Sequence, residues 1–168
     1  MDINREQVQI AAKSVRGPGE SLDPPHVVIQ VVASLLGEHK IDHAVSVKVS
    51  SRGDERDPFT SWKYAALTGF GLIAVDVTNA IADWELDGSG RREPTPTIDA
   101  RFIPLGEITH CRVVGIERVS TSFEEWTVSW EIGIRGEQPV RLPEGRYSAE
   151  RSAASALGRA IADRLCER

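Results

Sequence analysis

The sequence predicts an α+β fold, a seven-stranded antiparallel sheet curled into a small barrel, capped by a C-terminal helix and preceded by two helices. Three observations predict it. In residues 123–135, Trp126, Val128, Trp130, Ile132 and Ile134 alternate with Thr127, Ser129, Glu131, Gly133 and Arg135, the period-two signature of a strand with one buried face. Six further stretches read as strands joined by antiparallel connections, more than a flat sheet can hold without leaving its apolar face open, so the strands must curl into a small barrel or fold into two sheets. Residues 148–167 end the chain with an amphipathic helical stripe.

The elements follow in order. Asn4 with Gln7 resembles a capping box, and Val8, Ala11, Ala12 and Val15 continue at helical spacing up to Gly17-Pro18-Gly19. Asp23-Pro24 reads as an N-cap with proline at the first helical position. Val28, Val31, Val32, Leu35 and Leu36 then form a second apolar stripe that closes near Gly37. That helix is apolar around much of its circumference, more than one contact with a barrel needs.

From Ala44 the period becomes two, with Val45, Val47 and Val49 on one face. A polar loop, 51–58, leads to strands at 62–68 and 72–77 that hinge on Gly69-Phe70-Gly71. Residues 78–99 read as a long irregular segment, and strands at 100–104, 109–118, 123–135 and 139–142 complete the sheet. Thirteen residues of strand at 123–135 would span roughly 40 Å, too long for a small barrel, so a bend is expected at Gly133. Trp126 and Trp130 should then face inward beneath Leu157 and Ile161. Ser148 caps the last helix, whose inward stripe is Ala149, Ala153, Ala156, Leu157, Ala160, Ile161 and Leu165. The resulting division is a helical arm, residues 1–40, and a barrel domain, residues 41–168, that includes helix 148–167.

Composition narrows the class. The 168 residues are 40% hydrophobic and 27% charged, ordinary for a soluble globular chain. Net charge is −5 with mixed signs: residues 1–84 carry 11 acidic and 8 basic groups, residues 85–168 carry 14 and 12. Neither half is a basic module, so no nucleic-acid partner is expected. The N-terminus lacks the apolar run of a signal peptide, and the longest apolar window, 27–36, is half a membrane span. Two cysteines, Cys111 and Cys166, make no disulfide framework. The expected setting is cytoplasmic, with no transmembrane segment.

Several stretches resemble the bacterial pleckstrin-homology-like family. They are Ala65-Ala66-Leu67-Thr68 before Gly69, Gly71-Leu72-Ile73-Ala74-Val75, Ile103-Pro104-Leu105-Gly106-Glu107-Ile108, and 123–142 followed by the helix from Ser148. The resemblance covers residues 44–167 and implies a PH-like barrel used for phosphoinositides, peptides, proteins or self-assembly. Phosphoinositide binders of that family place basic residues around the first loop, where this chain has Lys48, Arg52, Arg56 and Lys63. Asp54, Glu55 and Asp57 interrupt that set and cancel much of its field, so phosphoinositide is not the expected ligand.

Motifs for chemistry are sparse. Gly69-Phe70-Gly71-Leu72-Ile73-Ala74 matches G-x-G-x-x-A, but it runs into a strand where a dinucleotide site needs a helix. His39 and His43 are spaced for zinc but straddle a helix end without a third ligand, so no metal is expected. His110 and Cys111 are strand neighbours pointing to opposite faces, so they form no nucleophile–base pair. No catalytic residue and no cofactor emerge. Trp84, in the irregular segment, reads as a partner anchor or as part of a satellite core. The expected function is a non-enzymatic binding or assembly module, engaging a protein or peptide or pairing with itself through the N-terminal helices. The alternative is a helix-grip protein that wraps a small hydrophobic ligand with Ala153, Ala156 and Ala160.

Overall fold

A computed structural model of the chain describes residues 5–16, 24–51, 57–82, 84, 94–119, 126–145 and 147–167. Helices α1 (Arg5–Arg16) and α2 (His26–Leu36) come first. Strands β1 (Ile41–Ser50), β2 (Thr60–Thr68), β3 (Gly71–Asn79) and β4 (Thr97–Pro104) follow. A 3-10 turn at Leu105–Glu107 leads into β5 (Ile108–Arg118), β6 (Trp126–Ile134) and β7 (Val140–Arg141), and α3 (Ser148–Cys166) closes the fold.

The strands form two antiparallel sheets, β1-β2-β3-β4 and β5-β6-β7, and they do not close into a barrel. Of the two expected arrangements the curled barrel is corrected, and the fold into two sheets is the one found. Curling was invoked to hide one apolar face, but the four-stranded sheet is covered on both. Along β2, Trp62, Tyr64 and Ala66 enter one apolar cluster, while Ala65 and Leu67 enter another. The first cluster joins Ile73, Val75 and Val77 of β3 to Ala11 and Val15 of α1 and Val28, Val32 and Leu36 of α2. The second joins Val45, Leu72 and Ile103 to Ile132 and Ile134 of the three-stranded sheet and to Leu157 and Ile161 of α3. The layers run in the order α1/α2, four-stranded sheet, then three-stranded sheet with α3. Each fully buried Leu or Ile in these layers is worth roughly 1.5–3 kcal/mol relative to exposure.

Local chemistry explains the boundaries. Asn4, Gly17-Pro18-Gly19 and Asp23 lie outside the described residues. The N-cap of α2 is Pro25, and His26 opens the helix. Pro24 cannot be the first helical residue, because a residue that precedes a proline is pushed out of the α region. Thr68, fully buried, builds the β2–β3 turn: its Oγ1 accepts the Gly71 N–H at 3.1 Å and donates to the Gly71 carbonyl at 3.0 Å. Gly71 is obligatory there, since a Cβ would sit 2.5 Å from the Ile103 carbonyl and the Phe102 ring. Strand β4 begins at Thr97, earlier than expected, because Thr97–Asp99 continue the ladder against Asp76–Thr78. Strand β7 is only two residues long, flanked by Pro139 and by Pro143, which has no N–H to extend the ladder.

The described part of the long strand is nine residues, Trp126–Ile134; residues 123–125 lie outside the description. Its irregularities are on the partner strand, where the register shifts between Ile108 and His110 and between Val113 and Gly115. What lies against Gly133 is a side chain: a Cβ there would lie 2.1 Å from the His110 imidazole. Trp130 packs on α3, where the backbone of Gly158 carries the indole; a Cβ at Gly158 would sit 2.4 Å from that ring. Trp126 is corrected, being 53% exposed rather than inward. The buried stripe of α3 is Ala154, Leu157, Gly158 and Ile161, rotated from the expected one, so Ala149 and Ala156 face outward. Tyr147, not Ser148, is the N-cap, and its backbone N–H donates to Glu150 Oε2 at 3.2 Å. Arg164 pairs with Asp42 at 3.0 Å and ties the end of α3 to β1.

Candidate functional site

Two surfaces carry chemistry. The first is an open cleft of about 460 Å³ where the lower inner face of the four-stranded sheet meets β6 and β7. Its walls are charged by strand alternation, because Lys63, Asp76, Asp99 and Arg101 continue the face that holds Ala65, Leu67, Leu72 and Ala74 higher up. Asp76 is held by three donors: Ser61 Oγ at 2.7 Å, Thr78 Oγ1 at 3.2 Å and Lys63 Nζ at 3.4 Å. Arg101 reaches Glu137 at 3.2 Å. Glu131, its side chain only 10% exposed, takes both Nε and Nη2 of Arg112 on one oxygen, at 2.9 and 2.6 Å, and faces Arg141 at 4.0 Å. Cations and anions on these walls pair with one another, so the cleft presents little net charge to a ligand.

The second surface is the β5–β6 hairpin beyond β7. Ten large hydrophobic residues are exposed among those described, and five of them, Val113, Val114, Ile116, Val119 and Trp126, lie on this hairpin. Monomer surfaces scatter such residues, so their concentration on one element makes this hairpin a candidate contact surface. The register places Val113 beside Trp130 and Ile116 beside Val128, so this strip is continuous with the part of β6 that α3 covers. A groove of about 370 Å³ separates Trp126 from the flank of α3, which presents Arg151, Ser152, Ser155 and Arg159.

The sequence-derived candidates do not converge. Lys48 lies opposite Trp62 in the ladder and so on the α2 side, whereas Lys63 lies opposite Val47 and points into the charged cleft. Arg52 and Arg56 lie outside the described residues. Trp84 is 4% exposed; its backbone N–H donates to Thr60 Oγ1 at 2.9 Å, and its carbonyl accepts Trp62 Nε1–H at 3.0 Å. It belongs to the cluster beneath α1 and α2.

The other groups flagged from sequence are separated too. His39 lies tilted against Phe70, with ring centroids 4.8 Å apart, while His43 is exposed in β1. Among the described residues no group of three or more His, Cys, Asp or Glu is placed to hold a metal ion. Cys111 packs against the core and donates to the Gly158 carbonyl at 3.4 Å, and burial pushes its thiol up to about 11. A thiol so raised is a poor nucleophile at neutral pH. Ala153 and Ala160 pack against the apolar core, and Ala156 is exposed on the groove.

The hairpin surface went unflagged because alternation identifies the apolar face of a strand without showing how far its cover extends. One signal was present: Val113, Val114 and Ile116 lie close together in a strand that should alternate.

Compared with family models, with curated proteins and with solved structures, the chain matches none. No helix among the described residues is long and apolar enough to cross a membrane.

Proposed function

We propose that the protein is a non-enzymatic binding module whose partner-facing surface is the β5–β6 hairpin with the adjoining flank of α3. The observation that carries this reading is the gathering of Val113, Val114, Ile116, Val119 and Trp126, all exposed, on one hairpin. Two antiparallel sheets of four and three strands with a C-terminal helix support a PH-like reading of residues 44–167, with residues 1–40 preceding it. Phosphoinositide is disfavoured as ligand, since Lys48 and Lys63 lie on opposite faces of their sheet. Self-association through the N-terminal helices loses its motive. Val28, Val32, Ala33 and Leu36 of α2 are buried, and Val27, Val31 and Leu35 pack against the same cluster. The test is photo-crosslinking in cells from a benzophenone side chain at Ile116, with Gln30 on the exposed side of α2 as control. A defined protein adduct at position 116, missing at position 30, is expected. Identical adducts at both positions, or none at 116, would refute the proposal.

A further inference from the structure

The geometry points to an acidic segment of a partner protein as the occupant of the groove between Trp126 and α3. This inference rests on the partner-facing surface proposed above and specifies the chemistry of what that surface receives. Residues 148, 152, 155 and 159 recur at helical spacing on the side of α3 away from its buried stripe at Ala154, Leu157, Gly158 and Ile161. That flank meets an indole that is 53% exposed, so the groove has an aromatic wall facing a basic, hydroxyl-bearing one.

Among the described residues no carboxylate lines the groove, and the two charged residues on it, Arg151 and Arg159, are both cationic. In a chain with net charge −5 this is a local reversal of sign. Guanidinium groups receive carboxylates through paired N–H donors, and an exposed tryptophan anchors an apolar side chain. A segment alternating acidic and apolar residues satisfies both walls. A nucleic acid matches the surface less well, because phosphate recognition draws on a longer run of cations and leaves Val113 and Ile116 uncovered.

The experiment is fluorescence anisotropy of the purified full chain with a labelled synthetic peptide that alternates glutamate and leucine. The wild type is expected to bind it, with affinity falling as salt rises. Arg159→Glu and Trp126→Ser should each weaken binding about tenfold or more, and both leave the circular dichroism unchanged because the residues are exposed. Equal or tighter binding of a lysine–leucine peptide or of an oligouridine would overturn the inference. So would a concentration-dependent rise in mass that Arg159→Glu abolishes, which would make the occupant a second copy of the chain. Failure of the glutamate–leucine peptide while crosslinking from position 116 persists sinks the acidic occupant alone. Failure of both sinks the surface.

Discussion

Replacing Tyr64 with phenylalanine tests whether α1 is built into the fold. Tyr64 is 1% exposed on the face of β2 that α1 covers, and its hydroxyl lies 2.6 Å from Ser14 Oγ. Phenylalanine keeps the ring and removes only that bond, at a cost of about 1 kcal/mol. With a urea slope of about 2 kcal/mol per molar, the unfolding midpoint should fall by about 0.5 M. Ser14→Ala should cost a similar amount, and the double variant little more than either single one, a coupling of about 1 kcal/mol.

The alkaline limb gives an independent reading. Burial pushes the Tyr64 phenol from 10.0 up to about 12, although its hydrogen bond to Ser14 acts the other way. A folded-state value above the unfolded one stabilises fully below pH 10 and is lost as pH rises towards about 12. Two pH units correspond to about 3 kcal/mol, so wild type should lose up to that much relative to Tyr64→Phe across the window. Urea midpoints of the four proteins at neutral and alkaline pH decide it. Additive costs together with parallel alkaline limbs would refute the docking of α1 through Tyr64.

Gly158→Ala should destabilise by about 1–3 kcal/mol despite alanine's better helix propensity, since the methyl meets the Trp130 indole. An unchanged or higher melting temperature, with unshifted tryptophan emission, would contradict that packing. Arg112→Met leaves the Glu131 carboxylate buried with Arg141 4.0 Å away and should cost about 1–3 kcal/mol, part of which Glu131→Gln in the same chain restores. Chemical denaturation of the three variants reads this, and a double variant weaker than Arg112→Met would speak against it. With Ellman's reagent near neutral pH, exposed Cys166 should react in a fast phase and Cys111 only slowly until urea is added. Two equally fast thiols in the native protein would show Cys111 to be accessible.

Much of the strand order was legible because burial on one face leaves a period-two trace, as in Val45, Val47 and Val49. What lay beyond reach was the second cover. Along β2, Trp62, Tyr64, Ala65, Ala66 and Leu67 are all buried, a near-continuous run that marks a strand covered on both sides. Read as one-sided, it led to a barrel. The wide apolar circumference of α2 carried the complementary message, since one side of it meets the sheet and another meets α1. The candidate surface was less legible. Trp126 and Trp130 are four residues apart on one face, yet only Trp130 reaches the glycine of α3 that accommodates it. Where a helix stops covering a strand depends on its tilt and on a single missing side chain, and neither leaves a period in the sequence.

The four-stranded sheet is a wall shared by two rooms furnished for different occupants. On the helix side β2 presents Trp62 and Tyr64; on the other side, at the same depth, it presents Lys63 and Ala65. Slipping β2 by one residue would drive two large aromatics into the space behind Ala65 and carry Lys63 under α1. In a sheet open to water on one face a slip spoils one core, whereas here it spoils both at once. Each layer thereby proofreads the pairing of the strands for the other, and the meander tolerates a single alignment.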